Sequence, residues 1–239
     1  MSIDVETGET MTDELQNRIN LMIVEANSRT VPRRPEALLE VDSKLWNVLR
    51  SVEAMHARGE YRNSAAFLVE AVPDDVAYDD PWVTNALGLS LSQNGDEEES
   101  WPFFLRSEQL GLAIALSADT QDRRKLGFER AASAANNMAV SMKKARRYSE
   151  SLAAAERAIE HASWFWPGYT ALVAALEGRS ASGDRERALN TLRQMLVACP
   201  AADNDPEVLK ALTRDADYAA LRRDKRFLDV IPFSLNPKE

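Results

Sequence analysis

His56, His161 and Cys199 are the side chains best suited to transfer a proton, ligate a metal or attack a carbonyl, and their spacing gives little support to any of these roles. The two histidines are the only ones in the 239-residue chain and stand in different helical units. Neither belongs to an HExxH frame, which places two imidazoles one helical turn apart on one face. Cys199 is the sole cysteine, so an intramolecular disulfide is excluded. It ends an apolar helix face, which predicts an unreactive thiol. Acidic residues are numerous, but no pair stands in an otherwise apolar segment where a raised pKa would set up acid–base chemistry. The expectation is a non-enzymatic protein with no metal and no cofactor.

Residues suited to binding are better placed. Trp46 and Trp82 each lie thirteen residues before a glycine, Gly59 and Gly95, so they occupy equivalent positions. Two indoles on neighbouring helices could form an apolar slot for a peptide side chain, because tryptophan is favoured where binding energy concentrates. The other reading places both in the core.

The elements that position them follow a pattern seen best over Leu87–Asp96. An apolar-small pair, Leu87-Gly88, precedes Leu91 and a Gly95-Asp96 turn. The next helix carries Ser100, Phe104 and Ser107, small, large and small at helical spacing. A first pair over 37–72 has Leu45, Val48, Leu49, Val52 and Met55 on one face, a turn at Gly59-Glu60-Tyr61, then Ser64, Leu68 and Ala71. A third has Asn137-Met138-Ala139, Met142, a turn at Arg146-Arg147-Tyr148, then Ser151, Ala155 and Ala158. A fourth, over 163–199, has Tyr169, Leu172 and Leu176, a longer loop at 178–184, then Ala188, Leu192 and Met195. Gly59 and Gly95 are 36 residues apart, whereas Gly95 and Arg146 are 51 apart. The excess falls between Glu108 and Ala131. It is read as two lengthened helices, one ending near Ala118 and the next beginning near Thr120-Gln121-Asp122. Pro102, inside a helix, predicts a kink.

Outside the pairs, residues 1–11 are polar and acidic. A helix is expected from Thr12, with Leu15, Ile19, Met22 and Ile23 as its stripe, followed by a linker with Pro32 and Pro35. Near the other end, Asp205-Pro206-Glu207 starts a short helix. Tyr218, Leu221, Phe227 and Ile231 are expected to cover the fourth pair as a capping helix. The net charge of -9 disfavours nucleic acid as the main ligand. No leader-like N-terminus or membrane-length apolar run is present. A cytoplasmic location is expected.

This layout resembles the tetratricopeptide repeat family, W-x2-L-G-x2-Y, then A-x3-F, then P, at a period of ~34 residues. The 215–227 segment, D-x-D-Y, L-R-x-D and R-F, is similar to the terminal segment of many such proteins. The resemblance covers about residues 40–231. It implies an all-α, right-handed solenoid of about four helix pairs over 37–200. An N-terminal tail, helix and linker over 1–36 would precede it, and a capping segment over 201–239 would follow. It also implies that first helices line a concave groove for another protein or peptide. Carried over, the inward stripe is Trp46, Glu53 and His56 in the first unit and Trp82, Asn85, Leu89 and Gln93 in the second. The third gives Asn136, Val140 and Lys143. The grip that some relatives have on a C-terminal carboxylate is incomplete here, since Thr170 and Ala171 stand where Lys or Arg is needed.

The expected function is an adaptor or regulatory subunit. The alternatives are a chaperone shielding a client and a structural or sensor subunit of a larger complex. The aromatic run Trp164–Tyr169 is read as packing between pairs, or, if exposed, as an interaction patch. Asp96–Glu99 and Lys143–Arg147 suit the opposite ends of helices.

Overall fold

The computed structural model describes residues 13–28, 43–73 and 79–230. Among them every regular element is helical, as the composition and periodicity imply. The N-terminal tail, the Pro32–Pro35 linker, the start of the first pair at Ala37, Asp74-Asp75 and Ile231 lie outside the described residues, as do Thr12 and the side chain of Leu15. No described helix is long and apolar enough to cross a membrane.

Helix α1 is Asp13–Ser28. Four antiparallel pairs follow. They are α2 (Ser43–Ala57) with α3 (Tyr61–Ala71), and α4 (Pro81–Asn94) with α5 (Glu97–Ser117). Then come α6 (Gln121–Lys144) with α7 (Tyr148–His161), and α8 (Trp166–Arg179) with α9 (Asp184–Ala198). Each helix packs on the next, and each first helix also touches the first helix of the following pair. Helix α1 lies against α3 and α5, burying Ile19, Met22 and Ala26 and leaving Leu21 and Val24 exposed.

The turns explain the repeat. A helix end leaves carbonyls unsatisfied, and a left-handed residue lets the chain fold back to satisfy one. Gly59 (φ 75°), Gly95 (φ 103°), Arg146 (φ 60°) and Ser180 (φ 52°) are left-handed at the four turns. In the first three, the following N–H bonds the carbonyl five residues back: Glu60 to Met55 at 2.9 Å, Asp96 to Leu91 at 3.0 Å and Arg147 to Met142 at 2.8 Å. The left-handed residues are separated by 36, 51 and 34 positions. Arg146 therefore stands in a conformation that strains a side chain by about 1 kcal/mol. Arg146→Gly is expected to stabilise the chain by about 0.5 kcal/mol, the strain relief being partly offset by glycine's freedom in the unfolded state. A urea midpoint that stays put or falls would contradict this.

The excess length lies where α5 and α6 run on past the standard unit, ending at Ser117 and starting at Gln121. Thr120 caps α6, its hydroxyl accepting from the Arg123 N–H at 3.3 Å. Two glycines let these helices touch backbone to backbone. A Cβ on Gly111 would sit 2.6 Å from the Ala131 nitrogen, and one on Gly127 would sit 2.4 Å from the Ala115 nitrogen. Pro102 falls in the second turn of α5, where its missing N–H leaves the Glu98 carbonyl without a helical donor, and the helix continues through it.

Two apolar cores result. One joins α1 to α4 and takes Phe103 from α5; its centre is Val52, Leu68, Val69, Val83 and Leu87. The other runs from Ala139 on α6 to Val230. Tyr218, Leu221 and Phe227 are buried in it, as expected. The covering segment is not one α-helix. After α10 (Pro206–Arg214) come three short 3-10 helices at 216–218, 221–223 and 225–229. Asp215 and Asp224 each accept the N–H two residues on, at 3.0 Å, so the helix restarts rather than propagates.

Candidate functional site

A cavity of about 260 Å³ opens between first helices of consecutive pairs. Helix α2 contributes Trp46, Leu49, Glu53 and His56. Helix α4 adds Trp82, Asn85 and Leu89, and α6 adds Arg130 and Ser133. The start of α4 is fixed by Asp80, whose Oδ1 accepts from the Trp82 and Val83 N–H groups at 2.8 and 2.9 Å, and by Pro81 at the first helical position. That cap sets the indole of Trp82 at the cavity.

Trp46 is 44% exposed, so it is not a core residue. Trp82 is half-buried, and the guanidinium of Arg130 lies over its ring at 4.4 Å from the centroid. Arg130 itself is half-buried, and its Nε is sealed from solvent with no hydrogen-bond acceptor among the described residues. Burial lowers its pKa, opposed by the charges of Glu129 and Asp80. The Asp80 carboxyl is in turn raised from 3.8 to about 6 by burial. The two N–H bonds and the Arg130 charge offset only part of that.

His56 holds the first two pairs together. Its Nε2 is 3.0 Å from the Ser64 hydroxyl and 2.9 Å from that of Ser90, and the two hydroxyls bond each other at 2.8 Å. Burial lowers its pKa, against the opposing charge of Glu53. Asn85 accepts from the Asn137 amide at 3.1 Å, which ties α4 to α6.

The structure thus brings together Trp46, Glu53, His56, Trp82, Asn85 and Leu89. The other four residues of the expected stripe lie elsewhere. Gln93 is exposed and accepts from Lys144 at 2.9 Å. The Asn136 amide reaches the Asn137 side chain at 3.5 Å. Val140 packs against the second core. Lys143 is paired with Asp217 in a separate cleft of about 460 Å³ beside Arg146 and Arg223. The stripe divides because the end of α6 is held away from the cavity, by Gln93 at the end of α4 through Lys144 and by the C-terminal segment through Lys143 and Asp217.

Arg130 has no place in the expected stripe. One signal for it exists: it is the only cation between Leu126 and Met142, in a run of Ala, Ser and Asn that forms a helix-crossing face. The second histidine lies apart. His161 Nε2 is 2.8 Å from Glu108 Oε1, and Arg157 bonds both Glu108 oxygens at 2.8 and 3.1 Å. Burial works against the Glu108 carboxylate, but these partners prevail and hold its pKa below the usual range. The Cys199 thiol is buried, raised in pKa by that burial, and 3.4 Å from the Ser163 carbonyl. Within the aromatic run, Tyr169 is buried and Trp166 packs against the second core. Trp164 is 41% exposed and donates to Glu129 at 2.9 Å.

No protein-family model matches the chain, and the search of the curated proteins returned no match.

Proposed function

We propose that the protein is a non-enzymatic adaptor or regulatory subunit of the tetratricopeptide type, a right-handed solenoid that captures a partner peptide or helix on its first-helix face. The observation that carries this reading is the meeting of Trp46 and Trp82, from successive first helices, at one cavity with Trp46 partly in solvent. An exposed indole beside an apolar recess is a costly surface for a free chain and a favourable one for a bound chain. The spacing of the left-handed turns supports the repeat assignment, since 36 and 34 positions lie close to the ~34-residue period.

The test is recovery of a partner from the native source, followed by a competition between the unchanged chain and the Trp46→Ala/Trp82→Ala double variant. The double variant is expected to keep its helical circular dichroism and lose the partner. A folded double variant that recovers the same partner equally well removes the groove from consideration. A second reading, a subunit of a larger complex, draws on Leu21 and Val24, whose side chains are 66% and 65% exposed on the outer face of α1.

A further inference from the structure

Among the described residues lining the groove, Arg130 alone has a buried side-chain nitrogen, its Nε, without a hydrogen-bond acceptor, and its guanidinium indicates what the partner carries. We propose that the groove takes a segment of a partner chain with an internal Asp or Glu carboxylate on the Arg130 guanidinium and a bulky apolar neighbour between Trp46 and Trp82. This inference rests on the groove reading above.

Burying a cation is costly unless hydrogen bonds and an opposite charge compensate it. The chain does this elsewhere. Arg106 has a fully buried side chain and bonds Asp79 at 2.6 Å. The Nε of Arg130 has no such bond among the described residues. Asp80 supplies charge nearby, but its Oδ1 is committed to the Trp82 and Val83 N–H groups. The guanidinium lies over the Trp82 ring and its Nε is sealed from solvent, so the groups left to meet a carboxylate in the cavity are its two terminal nitrogens. A planar fork of N–H donors matches a carboxylate in two parallel bonds, which a lysine cannot do.

The remaining polar groups argue for a side-chain carboxylate over a chain terminus. Capture of a terminus needs several donors converging on one point. Here Asn85 is bonded to Asn137, His56 to two serines, and Gln93 and Lys143 to partners outside the cavity. Arg50 and Glu53, which also line the cavity, carry opposite charges. The volume, about 260 Å³, is below the ~300–1,000 Å³ of small-molecule sites and suits a side-chain pocket. Its apolar walls are Trp46, Leu49, Trp82 and Leu89.

The experiment selects peptides from a random dodecapeptide library fused at its C-terminus, so that no free carboxylate is offered, on the immobilised full chain. The Trp46→Ala/Trp82→Ala variant serves as the blank. Selected peptides are then synthesised acetylated and amidated, with and without their acidic residue changed to the amide. They are titrated against the unchanged chain, Arg130→Gln and Arg130→Lys. The expected result is enrichment of an acidic residue beside a large apolar one. Arg130→Gln should weaken the acidic peptide roughly ten- to hundredfold and the amide version little, with Arg130→Lys between them. Trp-dependent peptides with no acidic preference, or an equal loss for both versions, overturn the assignment to Arg130 and leave the groove intact. Peptides that bind the blank equally well overturn both. Should Arg130→Gln fail to fold, the Arg130→Lys titration decides alone: unchanged affinity for the acidic peptide rejects the two-bond fork.

Discussion

Gly127→Ala is expected to destabilise the chain by about 3 kcal/mol. The methyl group would lie 2.4 Å from the Ala115 nitrogen and 2.8 Å from its Cα, both backbone atoms with no rotamer to change. Relief requires α5 and α6 to separate along the faces that carry Leu110, Ile114, Ala131 and Ala135, each fully buried. The loss would appear as a lowered urea midpoint. Gly59→Ala is the control: open space surrounds its Cβ position, so its cost is only the left-handed backbone, about 1 kcal/mol. If the two variants melt alike, the close approach is not what holds α5 to α6.

The second large effect is a pH dependence set by Asp80. Its folded-state pKa of about 6 is above the ordinary 3.8, so the folded chain holds this proton more tightly than the unfolded chain. The contribution is therefore most favourable below about pH 4 and is lost as pH rises through about 6. Roughly two units at ~1.4 kcal/mol each give a loss of about 3 kcal/mol across that window. Asp80→Asn keeps the oxygen that caps Trp82 and Val83 but has no charge to bury. Stability measured by urea unfolding from pH 4 to 7 should fall for the native chain relative to the variant, with the gap opening from about pH 4 and levelling off above about pH 6. Parallel profiles would show that the carboxyl is not buried in solution.

The sequence revealed what local chemistry dictates. Leu87-Gly88 and Gly95-Asp96 mark a helix and its reversal because a glycine turn and a 3.6-residue stripe are encoded within a few positions. The ends near Ala118 and Thr120 were legible for the same reason: Thr120-Gln121-Asp122 reads as a cap followed by a first helical turn. Arg130 was not legible as a site residue, since its role depends on the approach of α6 to Trp82, 48 positions earlier. Lys143 and Gln93 share the periodicity of Trp82 and Asn85, yet tertiary partners, Asp217 and Lys144, hold them elsewhere. Periodicity identifies a face of a helix but not what lies opposite it. The C-terminal cover shows the same limit. Its apolar residues were readable, whereas the restarts at Asp215 and Asp224 depend on competition between side-chain and helical hydrogen bonds.

The lengthening of α5 and α6 has a consequence for how such a chain could change over time. The extra residues lie on the side of the pairs away from the left-handed turns, and both helices extend together. Growth of one alone would leave Leu110, Ile114 and Ala115, or Gly127, without a facing surface. Insertion into this architecture is therefore a paired event, tolerated where two neighbours lengthen in step and small residues let them meet. The four tight turns are the fixed joints, and the distance between them is the adjustable part.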